Sequence, residues 1–403
     1  MSKSNFFTGQ PVFSIILNLI DQKDVNLLAK KLGSDKYYKY FNTYNHLVTM
    51  LYSTLNQCTS LREITLGLLS WESRILHLGI TRFPRRSTLA DANKNRSAEC
   101  FEKIFFLLRD RFNKFLPDSR EENVYIMDST TITLFSDLLK AAGRPPLTGA
   151  QKGGLKVHLL LHALADLPEI VYYSASAAQD VTYIKKITLP KGSVIVFDKG
   201  YNDYSTYNRF TEEGVTWVTR KNASAIYTVK EERDVSTDQK DTGILSDKII
   251  TLGHNHHNKN TVVEGRIIAY LDPEKNEVYE FITNNVELDA KSIADYYKKR
   301  WQIENFFKRI KQNFPLKYFL GDNVNAIKIQ IWCTLIADLL LKVIKAKGKS
   351  KIAYSNLVTM VRLLLMSYVD LIKFLQTPEK VLLKIANQRI PNNRIIQPSL
   401  FPT

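Results

Sequence analysis

The sequence predicts an α/β protein in three parts. An all-helical N-terminal region precedes a mixed-sheet core with a β-rich insertion, and an all-helical basic region ends the chain. Three observations predict this. Apolar residues recur at helical spacing from residue 11 to about 116. Beyond Pro117 come short runs rich in Val, Ile, Thr and Tyr, of strand length. From Tyr297 onward helical spacing returns.

In the first region PVFSIILNLI, HLVTMLYSTLNQ, LREITLGLLSWESRILHLGI and AECFEKIFFLLRDRFNKFL read as helices. Between the last two lies FPRRSTLADANKNRS, where Ser87 can cap a short helix. With Arg85 and Arg86 before it and Lys94, Asn95 and Arg96 on it, that helix fits the recognition element of a helix-turn-helix. An ordinary basic surface helix has the same pattern. The core strands are VYIMDSTTITL, KVHLLLHAL, EIVYYSASA, SVIVFDKGY and GVTWVTRK. A helical piece, VTYIKKITL, separates the third from the fourth, and DYSTYNRFTEEG separates the fourth from the fifth. Three strands, helix, strand, helix, strand is the order of the ribonuclease H-like fold. Residues 222–286 alternate polar breaks with the short strands KIITL, VVEGRIIAYL and EVYEFITNN, and read as a β-rich insertion. The expected division is 1–116, 120–335 and 336–403.

The chain has 403 residues, 44% hydrophobic, enough for two or three packed domains. Its net charge is +16. Such an excess favours a polyanionic partner, of which nucleic acid is the commonest and an acidic membrane surface the rival. Residues 341–403 hold eleven Lys or Arg against two Asp or Glu, so nine of the sixteen excess charges lie there. Cys58, Cys100 and Cys333 are far apart with no CxxC spacing, which argues for a reducing compartment and against disulfides or structural zinc. The N-terminus has no signal-peptide pattern. The most apolar stretches contain Asp338, Arg362 and Asp370 and read as core helices rather than membrane spans. A soluble cytoplasmic protein is expected.

Asp128 interrupts an apolar strand, where an acid is costly unless paired, hydrogen-bonded or bound to metal. Asp198 closes the fourth strand. In a ribonuclease H-like sheet the first and fourth strands are neighbours, so the two carboxylates converge at the crevice edge. A late helix packs across that crevice, and Glu304 is the natural third acid. Three hard oxygen donors suit Mg²⁺ or Mn²⁺. Two such ions activate water or a 3′-hydroxyl and stabilise the leaving oxygen, which is phosphodiester chemistry. The late helix, YKKRWQIENFFKRIKQ over 297–312, surrounds this acid with cations and rings. Tyr297, Glu304 and Lys311 fall on one line, with Arg300 and Lys308 four residues either side of Glu304. A face laid against DNA explains it. Arg300 and Lys311 then hold phosphates and Tyr297 packs or hydrogen-bonds beside them. A solvated helix with i,i+4 ion pairs is the plain alternative.

Tyr297, Arg300, Glu304 and Lys311 have the spacing Y-x2-R-x3-E-x6-K. This resembles the YREK signature of DDE transposases of the "IS-four" group of bacterial insertion sequences. MDSTTI around Asp128, FDKGY around Asp198 and GGLKVH with Lys156 and His158 are similar to the family's other blocks. So is the β-rich insertion before the last core helix. FTGQPVF through FPRRSTLADAN looks like the leading, DNA-binding domain of one branch. The resemblance implies metal-dependent cut-and-paste transposition on double-stranded DNA. Ends at terminal inverted repeats are nicked, the freed 3′-hydroxyl attacks the opposite strand to give a hairpin, and hairpin opening followed by strand transfer into target DNA completes the movement. It also implies a homodimer on paired ends, a nucleoid-associated location, and a flipped base on aromatic residues, for which Trp301 and Trp217 are platforms or core tryptophans. The basic C-terminal helices match no motif and offer dimerisation or DNA contact.

Among other residues, Arg220 and Lys221 end the fifth strand near the crevice and are candidate DNA contacts. Asp137 reads as surface or capping, and Asp180 as the cap of the helix after the third strand, with metal binding the alternative. His158 and His162 alternate with apolar residues and read as core histidines, with His158 a candidate neighbour of the site. His254, His256 and His257 could bind a metal, but they lie in a polar loop without a partner Cys or carboxylate pattern. Ser129 has no base at triad spacing. The alternatives are a DNA-binding relative without catalysis and a ribonuclease H-like nuclease. The intact three acids argue against the first, and the YREK helix with its helical leading domain against the second.

Overall fold

The computed structural model describes residues 10–116, 123–133, 154–175, 178–253, 262–314, 316 and 318–377. The chain divides into two compact units. One is helical and comprises residues 1–116, 313–321 and 325–403; the other, 117–312 with 322–324, carries the sheet.

In the helical unit, α1 (Val12–Leu17), α2 (Gln22–Lys31), α3 (Thr43–Asn56), α4 (Leu61–Leu69), α5 (Arg86–Asn95) and α6 (Ala98–Phe112) follow in order. Side-chain caps set several starts: Asn42 accepts from the Asn45 N–H, Ser60 from Glu63 and Ser97 from Glu99. α3 is buried along almost its whole length, and ends at Gln57 in the left-handed region. α12 (Val324–Lys347) is buried along most of its length, and Trp332 packs on Phe105 at 5.6 Å. A boundary at 335 falls inside this helix. Its buried Asp338 accepts from the Tyr354 hydroxyl at 2.6 Å and pairs with Lys342 at 3.2 Å. That hydrogen bonding and charge pairing is what a buried carboxylate requires. α13 (Tyr354–Leu364) and α14 (Leu371–Gln376) follow among the described residues. Cys58, Cys100 and Cys333 are buried free thiols. No helix among the described residues is long and apolar enough to cross a membrane.

The second unit is built on one mixed sheet. Its strands are β1 (Val124–Thr133), β2 (Gly154–His162), β3 (Leu167–Ala175), β4 (Val194–Phe197), β5 (Thr216–Arg220), β6 (Tyr227–Arg233), β7 (Ile244–Leu252), β8 (Val263–Asp272) and β9 (Glu277–Thr283). Among the described residues the order is β3-β2-β1-β4-β5-β9-β8-β7-β6. β1, β2 and β3 form an antiparallel meander. β1–β4 and β4–β5 are parallel. The VIVF run of β4 is buried at every position, as a central parallel strand requires.

Two helices lead into the parallel strands: α7 (Val181–Ile184) between β3 and β4, and α8 (Tyr204–Glu212) between β4 and β5. α7 is shorter than the expected VTYIKKITL helix. Pro190 disfavours helical backbone at Leu189. Ile187 and Leu189 are buried instead in the connection to β4.

The expected insertion does not stand apart from the sheet. β9 pairs antiparallel with β5, and β8, β7 and β6 extend the same sheet outward. β6 and a short helix, α9 (Thr237–Asp241), occupy a stretch read as a polar break. The extension has its own buried ion pair. Arg266 donates to both carboxylate oxygens of Asp247 at 2.7 and 2.6 Å, and to the Leu288 carbonyl at 2.5 Å. Both side chains are below a tenth exposed. Asp247→Ala strands the guanidinium and costs about 3–5 kcal/mol in urea unfolding. Adding Arg266→Met recovers most of that loss; a single-variant loss under about 1 kcal/mol contradicts the assignment.

Candidate active site

β1 is paired with β2 along its length and with β4 as far as Met127, and Asp128, the next residue, has its side chain 19% exposed. Met127 stands beside Phe197 in the parallel register, and Asp198 is the next residue, where β4 ends in a 3₁₀ turn over Lys199–Tyr201. Sheet register therefore brings the two carboxylates to the same end of adjacent parallel strands.

The third acid comes from the helices after β9. The segment expected as one helix over 297–312 is two, α10 (Ala290–Lys299) and α11 (Trp301–Asn313). They meet at Arg300, where the chain tightens. The Arg300 N–H donates to Tyr297 O at 2.9 Å, and the Ile303 N–H to Arg300 O at 3.2 Å, each three residues back. The Arg300 guanidinium donates to Asp128 Oδ2 at 3.3 Å and to Glu304 Oε1 at 2.7 Å. Its side chain is 12% exposed and that of Glu304 53%. One guanidinium thus bridges an enclosed and a hydrated carboxylate.

Burial pushes the Asp128 carboxyl up to about 6. The Ser129 N–H, which donates to Asp128 Oδ1 at 2.7 Å, and Arg300 oppose the rise, while the charges of Asp198 and Glu304 add to it.

Tyr297 is buried rather than presented outward, with its ring 4.6 Å from Phe281. Burial raises its hydroxyl well above the ordinary range, and Arg300, Asp198 and Arg220 are the charges that act on it. Lys311 Nζ donates to Thr130 Oγ1 in β1 at 2.6 Å. Lys308 is exposed on α11. Its neighbour Arg309 pairs with Asp166, in the turn after β2, at 2.5 Å, and so ties α11 to the meander.

Asp180 precedes α7 but makes no side-chain cap there, contrary to the sequence expectation. It accepts from Lys156 Nζ at 3.0 Å and Ser129 Oγ at 3.3 Å, and lies 3.5 Å from His158 Nδ1. His158 is buried, stacked on Tyr183 at 4.0 Å, and bonded through Nε2 to Ser174 Oγ at 2.8 Å. Burial lowers its pKa to about 4, so it is a neutral, satisfied histidine at neutral pH. Lys156 and His158 are two apart in β2 and share a face, a spacing that could have pointed to this cluster. His162 is also buried in β2.

Arg220 lies 4.7 Å over the Tyr279 ring and lines a pocket of about 130 Å³ with Tyr297, Arg300, Trp301 and Lys275. Lys275 Nζ is 3.2 Å from the Trp301 ring centroid, a cation–π contact that sequence reasoning missed. Trp217, by contrast, is a core residue, fully buried and stacked on Tyr207. Lys221 pairs with Glu280 at 2.6 Å.

In the helical unit Arg85, Arg86, Lys94 and Asn95 are exposed, while Arg96 is buried. Arg85, not Ser87, is the N-cap of α5, and makes no side-chain cap bond. Asp137, His254, His256 and His257 lie outside the described residues.

Among the described residues no three His, Cys, Asp or Glu side chains form a ready metal-ligating group. The donor chemistry of Asp128, Asp198 and Glu304 nevertheless fits a hard divalent cation. All are carboxylates, and Asp198 and Glu304 repel the charge on Asp128, a repulsion such a cation relieves.

A family model described as "Transposase DDE domain" matches residues 119–340, and one described as a domain of unknown function (DUF4372) matches residues 8–81. The chain is 27% identical over 261 residues to transposase y4zB of Sinorhizobium fredii, covering 64% of this chain and 71% of that protein. It is 23% identical over 333 residues to a transposase for insertion sequence element IS5377 of Geobacillus stearothermophilus, covering 82% and 83%. A transposase for insertion sequence element IS4SA of Synechocystis matches at 25% over 261 residues, covering 64% and 71%. Among solved structures, a piggyBac transposase synaptic complex with hairpin DNA aligns with a TM-score of 0.42 and 11% identity, over 95% of this chain and 85% of that one.

Proposed function

The chain belongs to the DDE transposase family, and from that premise we propose that Asp128, Asp198 and Glu304 are the one centre with which it cuts and rejoins the ends of an insertion sequence. The observation that carries this reading is the Arg300 bridge, which couples Asp128 on the first strand to Glu304 on a helix far along the chain. The order β3-β2-β1-β4-β5, with two parallel pairs at its centre, supports a ribonuclease H-like core.

Asp128, Asp198 and Glu304 would hold Mg²⁺ or Mn²⁺, probed as two ions, which supply Lewis acidity and an activated hydroxyl when bound. The protein's own groups set the stage. Ser129 fixes one Asp128 oxygen through its backbone N–H. Arg300 orients the other together with Glu304, and exchanges part of that contact for a phosphate of the cut strand. Lys311, anchored beside Thr130, holds the neighbouring phosphate. The pocket beside Trp301 receives an unstacked base, with Lys275 and Arg220 near its phosphate. Residues 1–116 contact the terminal repeats, 120–335 carry the chemistry, and the basic region 336–403 adds dimerisation or DNA contact. The working form is a homodimer on paired ends.

Lys311→Ala is expected to weaken binding of the element's end about tenfold and leave the unfolding curve unchanged. Equal binding, cleavage and joining in this variant would remove Lys311 from the site. The function is tested with a pre-cut end bearing a 3′-hydroxyl and a supercoiled target plasmid. A transposase joins them in the presence of Mg²⁺ or Mn²⁺. Cutting of uncut ends without any joining identifies a nuclease instead.

A further inference from the structure

We propose that the helical unit carries a second DNA site, a tyrosine-lined cationic groove that takes unpaired nucleotides, with bases on Tyr37 and Tyr40 and phosphates on the surrounding Lys and Arg. The proposal rests on the transposase reading for its partner, DNA, and on separate residues for its geometry.

Two sequence segments form the groove, KYYKYF at 36–41 and RFPRR at 82–86. They line an open cavity of about 430 Å³ that includes Tyr37, Tyr38, Tyr40, Arg82 and Arg85. A second groove of about 450 Å³ shares Arg82, Phe83, Pro84 and Arg85 with it. Tyr37 is 91% exposed and Tyr40 75%. Single exposed rings are ordinary on a protein surface. Here two stand in one groove, each beside a cation: Lys36 Nζ is 5.2 Å from the Tyr37 ring and the Arg82 guanidinium 5.9 Å from that of Tyr40.

The rings are held outward by a buried scaffold. Arg96, expected from sequence to face DNA, points inward. It donates to Phe41 O at 2.5 Å and Ser34 O at 3.4 Å, and lies 4.1 Å over the Tyr38 ring. Asp35 accepts from the Thr43 N–H and hydroxyl at 2.6 and 2.7 Å. Asn45 Nδ2 donates to Tyr40 O at 3.0 Å. Tyr37 itself has φ of 73°, a left-handed backbone that a tyrosine holds only when its surroundings impose it. A segment tied down on its inner side and exposing its rings on the other is preorganised for a ligand.

The charge selects that ligand. Lys36, Lys39, Arg82, Arg85 and Arg86 make no ion pair among the described residues. The nearby acids are few: Asp35 is turned to Thr43 and Arg96, Glu72 borders the second groove, and Asp91 is exposed on α5. Uncompensated cations interleaved with open aromatic faces fit a strand whose phosphates and base faces are both free. A duplex hides its base faces and would use the cations alone.

The test uses the full chain, a labelled single-stranded oligonucleotide and a duplex of the same length. Tyr37→Ser with Tyr40→Ser is expected to weaken single-strand binding at least about tenfold and duplex binding less than about twofold. Arg82→Ala with Arg85→Ala is expected to weaken both, and to lower the single-strand salt slope by about 1.4. Photo-cross-linking of an oligonucleotide containing 5-iododeoxyuridine should label peptides holding Tyr37 or Tyr40. Equal single-strand affinity in the tyrosine variant, or cross-links only outside residues 36–41 and 82–86, would overturn the proposal. Cleavage of a duplex end by the wild type with Mg²⁺ tests the transposase reading separately: single-strand binding at the groove without cleavage would leave the groove standing and sink that reading.

Discussion

Asp128→Asn is expected to make the protein more stable at about pH 7.5 and, on the proposed role of this carboxylate, to stop strand cleavage. In metal-free buffer the gain in unfolding free energy reaches up to about 3 kcal/mol, and cleavage with Mg²⁺ falls by about three orders of magnitude or more. The sign follows from the carboxyl, whose value in the folded protein is about 6 against an ordinary 3.8, chiefly because burial penalises its charge. A group raised on folding contributes its full stability below the ordinary value and loses it as pH rises through the folded one. Wild-type stability therefore drops from about pH 4 to above pH 6 on this account, while an amide has no charge to desolvate. The variant's advantage should vanish near pH 4. Thermal unfolding at both pH values checks this. A variant less stable than wild type at pH 7.5, or an advantage unchanged at pH 4, contradicts the burial argument. The pattern expected of a functional carboxylate is a stability cost carried for its chemistry.

Arg300→Ala is expected to act in the opposite direction. It removes the cation that Asp128 and Glu304 share. Glu304 is half exposed and keeps its hydration, but Asp128 is enclosed and loses its counter-charge. The cost is about 2–3 kcal/mol near pH 8, discounted from the fully buried case because one acid is wet. Without Arg300 the Asp128 value rises further, so the penalty shrinks as pH falls and protonation removes the need for a cation. Cleavage of the element's end drops about a hundredfold, since a phosphate loses its forked donor. Arg300→Lys restores little, because a point charge cannot fork between two carboxylates. A pH-independent stability loss, or full activity in the lysine variant, would refute the bridging role.

Much of this arrangement is legible in the sequence because it is written in local pattern. An acid inside VYIMDSTTITL calls for a pair, a hydrogen bond or a metal, and Asp198 directly follows the apolar run VIVF. The four-residue spacing of Arg300 and Glu304 predicts their contact on a helix turn, and the structure has it at 2.7 Å. What the pattern does not contain is non-local. That Arg300 also reaches Asp128 depends on how α11 packs on β1. Tyr297 shares the helical line of Glu304 in projection, yet the tightened turn at Arg300 belongs to a junction between two helices, and Tyr297 packs on Phe281. β6 is exposed at five of its seven positions and carries no apolar alternation, so nothing local marks it as a strand. The pairing of β9 with β5 joins segments some sixty residues apart, and only that pairing turns an insertion into sheet. Arg96 reads as a surface cation by composition, and its inward course is decided by the carbonyls of Ser34 and Phe41.

The central claim is that the three carboxylates act as one cutting centre, and one comparison tests it most directly. Wild-type protein and Glu304→Gln are incubated with a labelled duplex bearing the element's terminal repeat and Mg²⁺ or Mn²⁺. Glutamine keeps the side chain's size and an acceptor for Arg300, so the fold and end binding should persist. Nicked and hairpin products from the wild type alone, with equal binding by both proteins, are the predicted result. Equal cleavage by the two proteins, or binding without cleavage by either on paired ends, would contradict it.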